Sequence, residues 1–177
     1  ALEYVQKAEQ IGPTDNFDLQ KLLGDIYVTQ KDHDQAIASY KRALEIDSEN
    51  VKTMLNLAKF YLKTDRNEPA KELLNTVIEK QPNNNDAYKY LGYCNIKLKK
   101  LDKAVESYSK AIDIDARDWD AYRGLGVAFM LEAKKEDGKF DQSLKSKALQ
   151  SWQKSLEINP DQPNNNKLKY LIEKYSG

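Results

Sequence analysis

The residues able to carry chemistry are few, and their spacing argues against catalysis. His33 is the sole histidine and stands between Asp32 and Asp34 in a polar turn, where it reads as a solvated turn residue rather than an acid, base or metal ligand. Cys94 is the sole cysteine, which excludes an intramolecular disulfide and a CxxC redox or zinc site. It follows Gly92 by two places on the inward face of a helix, and no His or cationic cluster is placed to lower its pKa, so it reads as a buried small residue. Asp113, Asp115, Asp118 and Asp120 form a dense carboxylate cluster. A calcium loop would add a glycine turn and a bidentate Glu; neither is present, and helix termination followed by an N-cap at Asp118 accounts for the acids more simply. Gly124-Leu125-Gly126 lacks a third glycine and lies within a helix rather than after a strand, so it reads as packing. No HExxH, nucleophile elbow or P-loop occurs. The inventory points to a chain that is not an enzyme and has neither a catalytic residue nor a metal or cofactor.

The positioning elements announce themselves by repetition. Gly24, Ala58, Gly92 and Gly126 recur every 34 residues, and Ala36, Ala70 and Ala104 follow their partners by 12. A period in the thirties with small and bulky apolar places at fixed offsets predicts stacked helical hairpins, each burying one face only against its neighbour. The register gives units over 17–50, 51–84, 85–118 and 119–162, each with two apolar stretches of helical period around a short polar turn. Their junctions, such as Asp47-Ser48-Glu49-Asn50 and Gln81-Pro82-Asn83-Asn84, are rich in residues that end one helix or cap the next. Period-two alternation bounded by hairpin turns is absent. In the fourth unit Ala148 follows Gly126 by 22 residues instead of 12, an insertion of ten. Gly138 is the expected break, with both flanking helices expected to lengthen into a projecting hairpin. Over 163–177, Leu168, Leu171, Ile172 and Tyr175 share one face opposite lysines, as a C-terminal capping helix requires. Ala1, Val5, Ala8 and Pro13 reproduce the spacing of a second helix and its terminating proline, so 1–13 reads as the remnant of a truncated repeat.

These residues resemble the tetratricopeptide repeat family, whose signature is a large residue, Leu-Gly, Tyr, Ala, an aromatic, Ala and finally Pro. Unit three reads Tyr88, Leu91, Gly92, Asn95, Ala104, Tyr108, Ala111 and Ala116, departing at Asn95 and Ala116. Unit one supplies Leu23, Gly24, Tyr27, Ala36, Tyr40 and Ala43, and unit two Met54, Leu57, Ala58, Tyr61, Ala70, Leu74, Val77 and Pro82. Unit four opens with Tyr122, Leu125, Gly126 and Phe129 and completes the pattern late, at Ala148, Trp152, Ser155 and Pro160. The resemblance implies an all-α, right-handed α-α superhelical solenoid of tandem helix-turn-helix repeats. Within it Gly24, Ala36, Ala58, Ala70, Gly92, Ala104, Gly126 and Ala148 are the small residues that let helices cross closely.

The resemblance also implies a concave groove lined by the first helix of each repeat, and hence a non-enzymatic protein-protein interaction module, a scaffold or adaptor binding a peptide segment of a partner. The groove places hold Lys21, Leu55, Lys89 and Arg123; Asp25, Lys59, Tyr93 and Val127; and an apolar floor of Val28, Leu62, Ile96 and Met130, with Asn56 placed to meet a ligand backbone. Lys21, Lys59, Lys89 and Arg123 form a cationic stripe beside the apolar one, matching a protein or peptide ligand with acidic and apolar side chains. The clamp that captures chaperone C-termini is matched at Lys21 and Asn56 and opposed by Asp25, Asp86 and Tyr90.

Composition bounds the alternatives. The 177 residues carry 28 basic and 28 acidic side chains, a formal net charge of zero. That leaves no global field toward nucleic acid or anionic lipid and disfavours an RNA-reading helical repeat. No apolar run is long enough for membrane insertion as a helix. The competing structural reading is self-assembly, a homo-oligomer formed through the N-terminal half-repeat or the lengthened fourth hairpin. The chain opens on Ala1, not Met, and reads as a processed or shortened product; localisation stays unknown.

Overall fold

Asn and Asp side chains start most of the described helices, and those that start the first helix of each hairpin recur at the repeat period. In the computed structural model, which describes residues 16–176, Asn16, Asp32, Asn50, Asn84, Asp118 and Asp141 each accept a hydrogen bond from the backbone N–H three residues on, satisfying one of the orphan donors of a helix N-terminus. Among the described residues the helices are α1 (Phe17–Gln30), α2 (His33–Ile46), α3 (Val51–Lys63), α4 (Asn67–Lys80), α5 (Asn85–Lys97), α6 (Leu101–Ile114), α7 (Trp119–Ala133), α8 (Gln142–Ile158) and α9 (Asn165–Ser176). No strand occurs among them, only an isolated bridge between Lys134 and Phe140. The half-repeat expected over 1–13 lies outside the described residues.

The turns within hairpins are closed by a device the sequence hides. Lys31, Asp65 and Lys99, again 34 apart, hold left-handed φ values of 62°, 56° and 58°. The next N–H of each then reaches back to a carbonyl of the preceding turn: Asp32 to Tyr27 at 3.0 Å, Arg66 to Tyr61 at 2.8 Å and Lys100 to Asn95 at 2.8 Å. Helices usually reserve that place for glycine. At the junctions, Asp47, Asp115 and Asn159 each accept from the N–H two residues on.

The chain divides into two compact units, one ending at Leu73 and one beginning at Leu74. In the first, α1 packs on α2 with Gly24 against the Tyr40 ring: a Cβ on Gly24 would stand 2.7 Å from it. In the second, Tyr108 is held between Gly92 of its own hairpin and Gly124 of the next. It forms a core with Ala104, Ala111, Ala121, Leu125 and Ala128. Gly126 lies equally close to Trp152, which joins Met130, Ala148 and Leu168 in a second cluster with Leu171, Ile172 and Tyr175 of α9 packed on it. The small residues Ala36, Ala58, Ala70, Ala104 and Ala148 are wholly buried, as is Cys94.

In the fourth hairpin both helices are lengthened, as expected, but they take up only part of the insertion. α8 runs 17 residues and α7 15, against 13 or 14 in the helices of the other three hairpins. Much of the insertion instead folds into a closed loop. Lys135 N–H bonds to Lys139 O at 2.8 Å and Asp141 N–H to Ala133 O at 2.8 Å, with Gly138 turning at φ 81°. The physical reason is Phe140, which the loop carries back to an edge-on contact with Tyr175 of α9, ring centroids 5.5 Å apart.

Candidate functional site

The first helices carry the candidate site residues, and each unit presents its own set. In the first unit Lys21 is tied to Asp25 one turn later at 3.1 Å, and Asp25 also accepts the Tyr40 hydroxyl at 2.6 Å. Burial, reinforced by that bond and by the Asp25 charge, pushes the Tyr40 phenol far above its usual range. Leu55 and Asn56 are half-buried on α3 and Lys59 is exposed. His33 is exposed and leans on Phe60, ring centroids 5.5 Å apart.

In the second unit Lys89 bonds to Asp118 at 3.0 Å and to Asp86 at 3.2 Å. Asp118 is the buried N-cap of α7, its side chain 8% exposed. Burial alone would lower the Lys89 pKa, but the two carboxylates outweigh it and hold the ammonium above its ordinary value. Arg123 pairs with Asp120, donates to the Pro163 carbonyl at 3.3 Å and lies 5.1 Å over the Trp119 ring. Lys21, Lys89 and Arg123 are therefore each neutralised by acids of the chain itself. The stripe expected from sequence is a charge-balanced surface, where an incoming acid must displace an existing pair.

The apolar groove places separate into two kinds. Met130 is packed into the core beneath α9 with Ala148, Trp152 and Leu168, and Leu62 is likewise buried, so neither serves as an open floor. Capping by α9 is what takes Met130 out of the surface. Ile96 is half-buried against the Tyr108 cluster. Tyr93 and Val127 stay exposed at 42% and 36%, with Leu131, one turn beyond Val127, at 46%. Tyr93 and Val127 occupy the same place in successive repeats, and the Lys97 ammonium lies 5.9 Å from the Tyr93 ring centre. Leu131 escaped the sequence reading although its i+4 spacing from Val127 marks it.

Beneath this surface lies Tyr108. Its ring is 4% exposed, and its hydroxyl sits at the level of the α7 backbone, 2.8 Å from where a Gly124 Cβ would be. Burial above all, then Asp120 and Tyr93, raise its pKa, while Arg123 opposes them. The phenol stays protonated, a hydrogen-bond donor. Among the described residues no group of three or more His, Cys, Asp or Glu could hold a metal ion, and no helix is long and apolar enough to cross a membrane.

Comparison with known proteins places this geometry in context. Models of the tetratricopeptide repeat match residues 1–51 and 27–92, and a TPR repeat model matches 95–131. Among curated relatives, the anaphase-promoting complex subunit CDC16 of Saccharomyces cerevisiae is 30% identical over 119 residues, covering 63% of this chain and 14% of its own. The heat shock protein STI1 of the same yeast is 29% identical, covering 61% and 18%. The chain thus spans less than a fifth of either relative. Of solved structures, MamA superposes with a TM-score of 0.74 at 25% identity over 91% of this chain and 82% of its own. YrrB, a TPR protein with an unusual peptide-binding site, gives 0.75 at 22% over 98% and 81%. The first TPR of Spaghetti (RPAP3) bound to the HSP90 peptide SRMEEVD gives 0.62 at 22% over 66% and 93%.

Proposed function

The chain belongs to the tetratricopeptide repeat family, and on that premise we propose that it is a non-enzymatic interaction module, a scaffold or adaptor that holds a segment of a partner protein against its first helices. The observation that carries the reading is the exposed apolar set Tyr93, Val127 and Leu131, three large side chains left in water on first helices of the second unit. Apolar surface of this kind, rimmed by Lys97 and by the Asp120–Arg123 pair, marks a place where another polypeptide docks. In the first unit Leu55, Asn56 and Lys59 form the corresponding face, with the Asn56 amide available to a ligand backbone.

Apolar side chains are the main requirement of the partner segment; acidic groups are secondary. The bound peptide in the RPAP3 complex does not transfer to this chain as a mode of binding, because Asp25 already holds Lys21 and Asp86 already holds Lys89. Charge reversal at Lys89 or Arg123 would be a poor test, since it would strand the buried Asp118 or break the Arg123 contacts to Asp120 and Pro163. The sound test selects a phage-displayed random peptide library on the whole chain and on the Tyr93→Ala, Val127→Asp double variant. Both substitutions are at exposed places, so circular dichroism should be unchanged. Enrichment on the wild type that the double variant loses supports the site; equal enrichment on both, or none on either, refutes it.

A further inference from the structure

Two repeats of this chain use the same tyrosine differently, and the difference is informative. Tyr40 and Tyr108 occupy one repeat position, 68 residues apart, and so do Asp25 and Tyr93. In the first repeat the tyrosine hydroxyl is consumed: it donates to Asp25 at 2.6 Å. In the third, Tyr93 stands at the place of the acceptor, and the Tyr108 hydroxyl makes no hydrogen bond among the described residues. It is nonetheless fixed in place, because its ring is clamped between Gly92 and Gly124. Asp120, Tyr93 and Arg123 are close enough for their charges to act on that hydroxyl, and Tyr93 is itself one of the exposed set with Val127 and Leu131. Asp120 is held by Arg123. A rigid donor that has no internal acceptor, and whose oxygen is not among the buried polar atoms left without a partner, is poised to donate to an acceptor from outside the chain.

Resting on the peptide-binding reading above, we infer that the Tyr108 hydroxyl is a ligand-binding group, donating to a main-chain carbonyl of an uncharged, apolar segment whose side chains lie on Tyr93 and Val127. The class of ligand follows from charge as well as shape. Lys89 is matched by Asp86 and Asp118 and Arg123 by Asp120, so the surface offers no surplus positive field to an acidic peptide. A main-chain carbonyl supplies an acceptor without bringing charge into this balanced surface. Gly124 matters here as the position that lets the hydroxyl come to the backbone level of α7; its counterparts Leu22, Asn56 and Tyr90 in the other repeats all carry side chains.

The test uses one synthetic peptide taken from the library selection described above, with its affinity measured by calorimetry for the whole chain. Tyr108→Phe keeps the ring between the two glycines and removes only the donor. The expected result is a weakening of between about twofold and tenfold, the range of one net hydrogen bond, with thermal stability unchanged. Replacing peptide amides one at a time by esters weakens the carbonyl acceptor, and one replacement should lower affinity for the wild type but not for Tyr108→Phe. Raising salt from about 50 to about 500 mM should leave the affinity within about twofold. Unchanged affinity in Tyr108→Phe overturns the inference while leaving the Tyr93 and Val127 site intact. Selection of acid-rich peptides with steep salt dependence overturns the assigned ligand class. Loss of selectivity against the Tyr93→Ala, Val127→Asp variant overturns the site itself.

Discussion

Gly126→Ala measures how tightly the fourth hairpin is closed. In an open helix the change would stabilise by about 1 kcal/mol, because alanine loses less backbone freedom than glycine. Here the added methyl would strike Cδ1 and Nε1 of Trp152 and lie 2.9 Å from the Ala148 carbonyl oxygen. The ring cannot simply swing aside: it is 2% exposed within a packed cluster, and its Nε1 donates to the Arg123 carbonyl at 3.3 Å. Forcing a methyl into such a core costs about 1–3 kcal/mol, and losing the indole hydrogen bond adds about 1 kcal/mol. Against the propensity gain, the net loss is about 2 kcal/mol. Urea unfolding followed by tryptophan fluorescence, which reports on Trp119 and Trp152 of this unit, would show the midpoint fall by about 1 M. Repeating the substitution in a Trp152→Leu background closes a double-mutant cycle, and there the alanine should cost far less, with a coupling of about 2 kcal/mol. A higher midpoint for Gly126→Ala would refute the close-approach argument. An undiminished cost once the indole is gone would move the obstruction from the ring to the Ala148 carbonyl.

Three further substitutions probe features the fold adds to the repeat pattern. Lys99→Gly should stabilise by about 0.5–1 kcal/mol in the same urea assay, because a left-handed φ of 58° costs a side-chain-bearing residue more than glycine loses in unfolded-chain entropy; Gly138→Ala, at φ 81° with open space around it, should lose a similar amount. Asn95→Leu should raise stability by about 1 kcal/mol, since Asn95 is 2% exposed with Oδ1 buried and unpaired, whereas Ser107 keeps its own bond to the Lys103 carbonyl at 2.7 Å. A lower midpoint for Asn95→Leu would mean that the site cannot take the larger side chain.

What could be read from the sequence divides along a physical line. Packing was legible because it is periodic: the spacing that sets Gly24, Gly92 and Gly126 in one register also brings each against Tyr40, Tyr108 or Trp152. The left-handed turn residues were not legible, because Lys31, Asp65 and Lys99 are not glycines and only the closing hydrogen bonds reveal them. The form of the insertion was likewise hidden. Helical composition continues on both sides of Gly138, but the contact that decides the matter, Phe140 on Tyr175, spans 35 residues.

The candidate site shows the same division more sharply. A count of lysines and arginines along the first helices gives formal charge, whereas what a ligand meets is charge after pairing, and Lys89 finds its partner Asp118 29 residues away. Side chains that look alike in register then separate by their neighbours. Met130 and Val127 are both apolar places of one helix, yet α9 covers the first and leaves the second in water. Tyr108 is the extreme case, because the family pattern gives its ring a complete explanation as packing. Only the comparison with Tyr40, whose hydroxyl is spent on Asp25, shows that this ring ends in a donor with no acceptor among the described residues. If ligand affinity answers to that hydroxyl, then having Tyr rather than Asp at one repeated position does two things at once: it exposes an aromatic side chain and leaves the donor beneath it unspent.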